Sequence, residues 1–176
     1  MPIDDCGFGT GGSICNLQSA IRNPPPTVIL GVGNILKGDD GVGPLVCARI
    51  AGRVGATVID AGTVPENYVR PIIQAAPENL LIIDAVDFRG SPGQVQVFPP
   101  DRASDFAFST HSLSLHLFLT LLLQERAMHA VLLGIQPGHT QLGRPISPAV
   151  QASMEALANA LVATFPLSEV CDPASP

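Results

Sequence analysis

Three side chains stand out as able to do chemistry together: Asp40, Asp84 and His111. Two carboxylates and an imidazole make an O,O,N donor set suited to a divalent cation with coordination positions left open. Each also has a plainer reading. Asp40 can cap the following helix or sit solvated, Asp84 can satisfy a loop amide, and His111, beside Ser109-Thr110, can act as a capping group. Their placement relative to the strands is what makes the joint reading stronger than any single one.

The elements that must position them alternate along the chain. Thr27–Gly33 is a continuous apolar, β-prone run, as expected of a strand covered on both faces. Gly43-Pro44 opens a helix to Arg53. Ala56–Ala61 reads as a second strand, Pro65–Ala75 as a second helix and Leu80–Val86 as a third strand. Gln94–Phe98 alternates polar and apolar residues, the mark of a half-exposed edge strand. Ser112–Glu125 reads as helix, His129–Ile135 as strand, and Ser147-Pro148 caps a last helix to Thr164. This pattern predicts an α/β fold, doubly wound. It has a mostly parallel sheet of about five strands, helices on both faces and one antiparallel edge strand.

In such a sheet ligands bind beyond the carboxyl ends of the strands. The segments there are Asn34–Gly41, Asp60–Asn67, Asp84–Asp87 and Gln136–Thr140, and three of the four carry carboxylates. Asp60 is a candidate for supporting the site or binding substrate, with a turn before Gly62 as the plainer role. His139 lies at the same edge and can line the pocket. His116 points away from His111 on a helix, and His129 sits at the opposite end of the sheet.

The first loop is not a nucleotide cradle. Gly31-Val32-Gly33 lacks the third glycine of a dinucleotide fingerprint, because position 36 is Leu36. Gly33–Gly38 has phosphate-loop spacing, but Asp39 and Asp40 stand where lysine and a hydroxyl residue belong. The acidic pair points to a cation instead. No nucleophile elbow is present, and Cys47, between Val46 and Ala48, reads as a core thiol.

Composition narrows the classes further. The chain has 176 residues, with 9 Lys plus Arg against 15 Asp plus Glu, and Lys37 is its one lysine. That balance excludes a nucleic-acid partner. Four cysteines without metal-type spacing predict reduced thiols and a cytoplasmic location. The apolar stretch Leu113–Leu123 is too short for membrane insertion. Residues 1–26, glycine-rich and ending in Pro24-Pro25-Pro26, read as a flexible leader. A single domain is expected over 27–165 and a tail over 166–176.

Five blocks together resemble the hydrogenase maturation endopeptidases. They are Gly31-Val32-Gly33-Asn34-Ile35-Leu36-Lys37-Gly38-Asp39-Asp40-Gly41-Val42-Gly43, Ile59-Asp60-Ala61-Gly62-Thr63, Leu81-Ile82-Ile83-Asp84-Ala85, Thr110-His111 and Leu133-Gly134-Ile135-Gln136-Pro137. These proteases trim a C-terminal extension from the large subunit of nickel–iron hydrogenases. Pro65-Glu66-Asn67 and the Gly-Ile-Gln-Pro block look most like the branch serving formate hydrogenlyase and related energy-converting hydrogenases. The resemblance implies that Asp40, Asp84 and His111 are both the catalytic and the metal-contacting residues. It also implies that Asp60, Gly33 and Asn34 bind substrate. The nickel would be supplied by the large-subunit precursor rather than held permanently, although other divalent metals can enter the same ligands. The protein would act as a monomer. Asp40 stands where some branches carry glutamate, a shorter reach for the same oxygen chemistry.

Two other readings stay open at this level. One is a metal-dependent hydrolase with its own bound ion. The other is a non-catalytic assembly factor for the nickel site. A phospho-receiver domain is rejected, because it needs a lysine after the fifth strand.

Overall fold

The computed structural model describes residues 25–99 and 112–167. Of the expected leader, residues 1–24 lie outside the described residues, as do 168–176 of the expected tail. His111 is also outside them.

Five strands form one sheet: β1 (Thr27–Val32), β2 (Thr57–Gly62), β3 (Asn79–Ala85), β4 (Val95–Phe98) and β5 (His129–Ile135). Their order is β2-β1-β3-β5-β4. The first four in that order run parallel, and β4 is antiparallel to β5 at the edge. The helices are α1 (Val42–Ile50), α2 (Val69–Ala75), α3 (Ser112–Glu125) and α4 (Pro148–Thr164). The expected doubly wound sheet with one antiparallel edge strand is therefore the observed one.

Period-two alternation in the strands assigns the two faces. Val28, Leu30 and Val32 of β1, with Leu80 and Ile82 of β3, pack against Ile72 of α2 and Phe118 and Leu122 of α3. Ile29, Ile83 and Ile135 face the other way, onto Val42, Val46 and Ile50 of α1 and Met154 and Leu161 of α4. All six residues of β1 are buried. That is why its sequence runs apolar without a break. Each such side chain contributes about 1.5–3 kcal/mol on removal from water.

The second helix starts later than its sequence suggests. Pro65–Tyr68 forms a 3₁₀ turn, and α2 begins only at Val69. Pro71 has no N–H and fits only the first turn of an α-helix, so it fixes the start. Helix α1 ends at Ile50 rather than Arg53, since Gly52 takes a positive φ of 68°.

One feature of the winding matters for function. The connection from β1 leads through α1 to β2 on one side, whereas β3 lies on the other side of β1. The chain thus diverges beyond the carboxyl ends of β1 and β3, and a crevice opens at such a switch point.

Candidate active site

Asp40 and Asp84 come from the two loops that meet at this divergence. β1 and β3 are adjacent, with Gly31 in register with Ile83. Asp84 is the penultimate residue of β3. Asp40 belongs to a 3₁₀ turn, Gly38–Gly41, which leads directly into α1.

Glycines allow the backbone to close on itself here. Gly33 has φ 139°, and a side chain there would collide with the carbonyl of Asp40. Gly33 N–H donates to the carbonyl of Gly62 at 2.8 Å. Asn34 N–H then donates to the Asp40 carboxylate at 3.1 Å. The Asn34 side chain folds back, its Oδ1 accepting from Leu36 N–H at 2.9 Å. Gly33 and Asn34 therefore build the loop that holds Asp40 in place. At the helix end, a Cβ on Gly43 would strike the carbonyls of Val32 and Ile83. Only glycine lets α1 start against the strand backbones.

Asp84 is wholly buried. Its Oδ1 accepts from Ala85 N–H at 2.8 Å, while Oδ2 has no hydrogen-bond partner among the described residues. Burial, reinforced by the negative charge of Asp40, raises its pKa well above the usual carboxylate range. A half-satisfied buried carboxyl beside a second carboxylate is costly for the fold alone and suited to receiving a cation or a proton.

Asp39 behaves oppositely, which the sequence had not distinguished. It too is fully buried. Its Oδ2 accepts from Gly138 N–H at 2.7 Å, His139 N–H at 3.1 Å and Ser147 Oγ at 2.9 Å, and its Oδ1 from Ser147 N–H at 2.6 Å. Burial alone would raise its pKa, but these bonds outweigh it and hold the group below the usual range. In a 3₁₀ turn successive side chains diverge by about 120°. Asp39 and Asp40 therefore cannot serve one ligand, and only Asp40 of the acidic pair belongs with Asp84.

The remaining candidates separate as follows. Asp60 is exposed, and its Oδ1 accepts from Gly62 N–H at 2.9 Å, within the C-terminal end of β2. His139 packs its ring over Gly38, whose Cβ would lie 2.6 Å from Nδ1. His129 opens β5 at the far end of the sheet. Cys47 is buried in α1, donates to the Ile59 carbonyl at 3.4 Å, and has its pKa pushed up to about 12 by burial and Asp60. A thiol of that kind is inert at neutral pH. Gln136, singled out in the sequence only as part of a motif, has a structural role that the motif did not reveal. Its Oε1 accepts from Phe88 and Gly90 N–H at 2.9 and 3.0 Å, and its Nε2 donates to Asp87 at 3.0 Å, which braces the loop after β3. A lone Gln after a strand carries no local signal of such a role.

Among the described residues no group of three or more His, Cys, Asp and Glu side chains gathers to hold a metal ion. The third expected ligand, His111, lies outside those residues.

Comparison with known proteins bears directly on this arrangement. The sequence family HycI, described as hydrogenase maturation protease, matches residues 47–164. The hydrogenase 3 maturation protease of Escherichia coli K12 is 35% identical over 131 residues, covering 73% of this chain and 83% of that protein. The chain belongs to the hydrogenase maturation protease family. Two solved structures agree with it in fold. The [NiFe] hydrogenase maturation protease HycI of Thermococcus kodakarensis superposes with a TM-score of 0.74 at 30% identity, over 84% of this chain and 97% of that one. The endopeptidase HycI of Escherichia coli gives a TM-score of 0.72 at 31% identity, over 81% and 96% respectively. This member of the family is thus a peptide-bond hydrolase, and the HycI match fits the formate-hydrogenlyase branch expected from its motifs. Among the described residues no helix is long and apolar enough to cross a membrane.

Proposed function

We propose that this protease removes the C-terminal extension of a nickel-loaded hydrogenase large-subunit precursor, and that it recognises the inserted nickel through Asp40, Asp84 and His111. The domain responsible spans residues 27–165, acts as a monomer and works in the cytoplasm. The observation that carries this reading is the buried Oδ2 of Asp84, without a hydrogen-bond partner among the described residues and beside the charge of Asp40.

An incoming Ni²⁺ offsets the repulsion between the two carboxylates and favours loss of the Asp84 proton. Nickel is here part of the substrate. A precursor that carries it gains interactions an empty one cannot make, so cleavage reports cofactor insertion. Once the metal seats the precursor, the peptide after it lies against the same two loops. Asp40 or Asp84 then accepts a proton from the attacking water as its oxygen adds to the scissile carbonyl. The same group returns the proton to the departing amine. Gly33 and Asn34 keep Asp40 oriented, and Asp60 contacts the precursor from the C-terminal end of β2.

The test is intact mass of the precursor after incubation with the protein. Nickel-loaded precursor should lose one C-terminal peptide, nickel-free precursor should not, and Asp40→Asn should abolish the loss. Cleavage of the nickel-free form at an equal rate would overturn nickel recognition. Binding without any mass loss would favour an assembly factor, and stoichiometric metal in the isolated protein a hydrolase with its own ion.

A further inference from the structure

The loop after β1, which carries Asp40, and the loop between β5 and α4 enclose an open groove of about 560 Å³, lined by Ile35, Leu36, Leu142, Gly143, Arg144 and Pro145. Its large apolar side chains face water: Ile35 is 62%, Leu36 63% and Leu142 73% exposed. These three residues share one concavity instead of being scattered singly over the surface. The groove also lies within the range of about 300–1,000 Å³ common for ligand sites.

We infer that this groove binds an extended segment of the substrate polypeptide flanking the scissile bond. The segment presents a large apolar side chain to Leu36 and Leu142, and an acidic group to Arg144. The inference deepens the proposed function and rests on it for the identity of the substrate.

Continuity with the carboxylates is the first argument. Ile35 and Leu36 lie inside the turn whose ends hold Asp40, through Asn34 N–H to its carboxylate at 3.1 Å and Asp40 N–H to the Lys37 carbonyl at 3.3 Å. The opposite wall is tied to the same turn, because Gly143 N–H donates to the Leu36 carbonyl at 2.8 Å. A chain seated in the groove therefore touches the segment that carries Asp40. Charge is the second argument. On a chain of net charge −6, Arg144 offers a local cation, with its Nε engaged to Gln141 at 3.2 Å. Size is the third. Six lining residues suit a short extended segment, whereas a stable interface between two copies takes about 20–30 residues a side.

The test uses the full chain and a fluorescently labelled synthetic peptide that spans the precursor's C-terminal extension and the residues before it. The double variant Leu36→Ser/Leu142→Ser changes only exposed side chains, and a thermal melt matching wild type verifies its fold. It should weaken peptide binding, read by anisotropy, at least about tenfold, since tenfold is less than the transfer free energy of one buried leucine. On nickel-loaded precursor KM should rise in parallel while kcat stays near wild type. Arg144→Glu should weaken the peptide further at low salt than at high salt. Unchanged peptide affinity and KM in the double variant would overturn the inference. So would a dimer of the wild type in sedimentation that the double variant dissolves with peptide binding intact, which assigns the groove to a second copy. Failure of the wild type to cleave the precursor sinks the proposed function, while the peptide titration still decides the groove.

Discussion

At the scale of single residues, three neighbouring carboxyls have three distinct environments. Asp39 is saturated with donors, Asp84 keeps one buried oxygen unpaired among the described residues, and Asp40 is oriented by the amide of Asn34. The two shifted groups act on stability in opposite directions. A carboxyl whose pKa is raised by folding binds more protons folded than unfolded, so its contribution is greatest below the usual value of about 4 and is lost as pH rises. Asp84→Asn copies the neutral acid and escapes that loss. Urea midpoints of the two proteins should diverge in favour of the variant as pH climbs from 4 towards 8. A difference independent of pH would show that Asp84 titrates normally. Cleavage of nickel-loaded precursor should fall at least about a hundredfold in the same variant, as expected when a positioned proton-transfer group is removed.

Secondary elements position these residues mainly by close approach. Helix α1 starts against β1 and β3 because Gly43 has no side chain, with the Val32 nitrogen only 2.7 Å from where a Cβ would sit. Gly43→Ala must push the helix start outward, and with it the 3₁₀ turn that carries Asp40. Overpacking of this kind costs about 1–3 kcal/mol. A denaturant titration should register that loss, and turnover should drop more than the lost stability explains, because the Asp40–Asp84 spacing changes. Gly52→Ala is the control at this scale. Gly52 has a positive φ, unlike Gly43, and nothing lies within 4 Å of its would-be Cβ. Its stability should fall while turnover per folded molecule stays level.

For the molecule as a whole, Asp39 is the tie between distant parts of the chain. Its carboxylate joins the loop after β1 to the loop after β5 and to Ser147, the residue that caps α4. Asp39→Asn places an amide nitrogen against donors that need an acceptor, which leaves buried N–H groups unpaired at about 1–3 kcal/mol each. Because folding lowers the Asp39 pKa, the stability it contributes is present above the usual carboxylate value and is lost as pH falls through the folded one. The gap in melting temperature between wild type and variant should therefore be widest near neutral pH and narrow under acid. A gap that widens on acidification would refute this role. Much of the molecule was legible beforehand. Unbroken apolar runs and their alternation with helical segments predicted the α/β class, and the carboxylates clustered after strands pointed to one edge of the sheet as the candidate site. These are local signals, because side-chain period and strand ends are written in consecutive residues. The late start of α2 was less legible, since it hangs on where a single proline falls within a turn. The bracing roles of Gln136 and Asp39 were not legible, because their partners lie tens of residues away. What the sequence by itself determined was the type of sheet, and it nominated Asp40, Asp84 and His111 as the residues that sheet could gather. Only the tertiary structure decided that β1 and β3 are neighbours, that Asp84 is buried with an oxygen unpaired among the described residues while Asp39 is saturated, and that a groove opens next to the turn that carries Asp40. Strand order, burial and the pKa shifts that follow from them arise from long-range packing, which no run of neighbouring residues encodes.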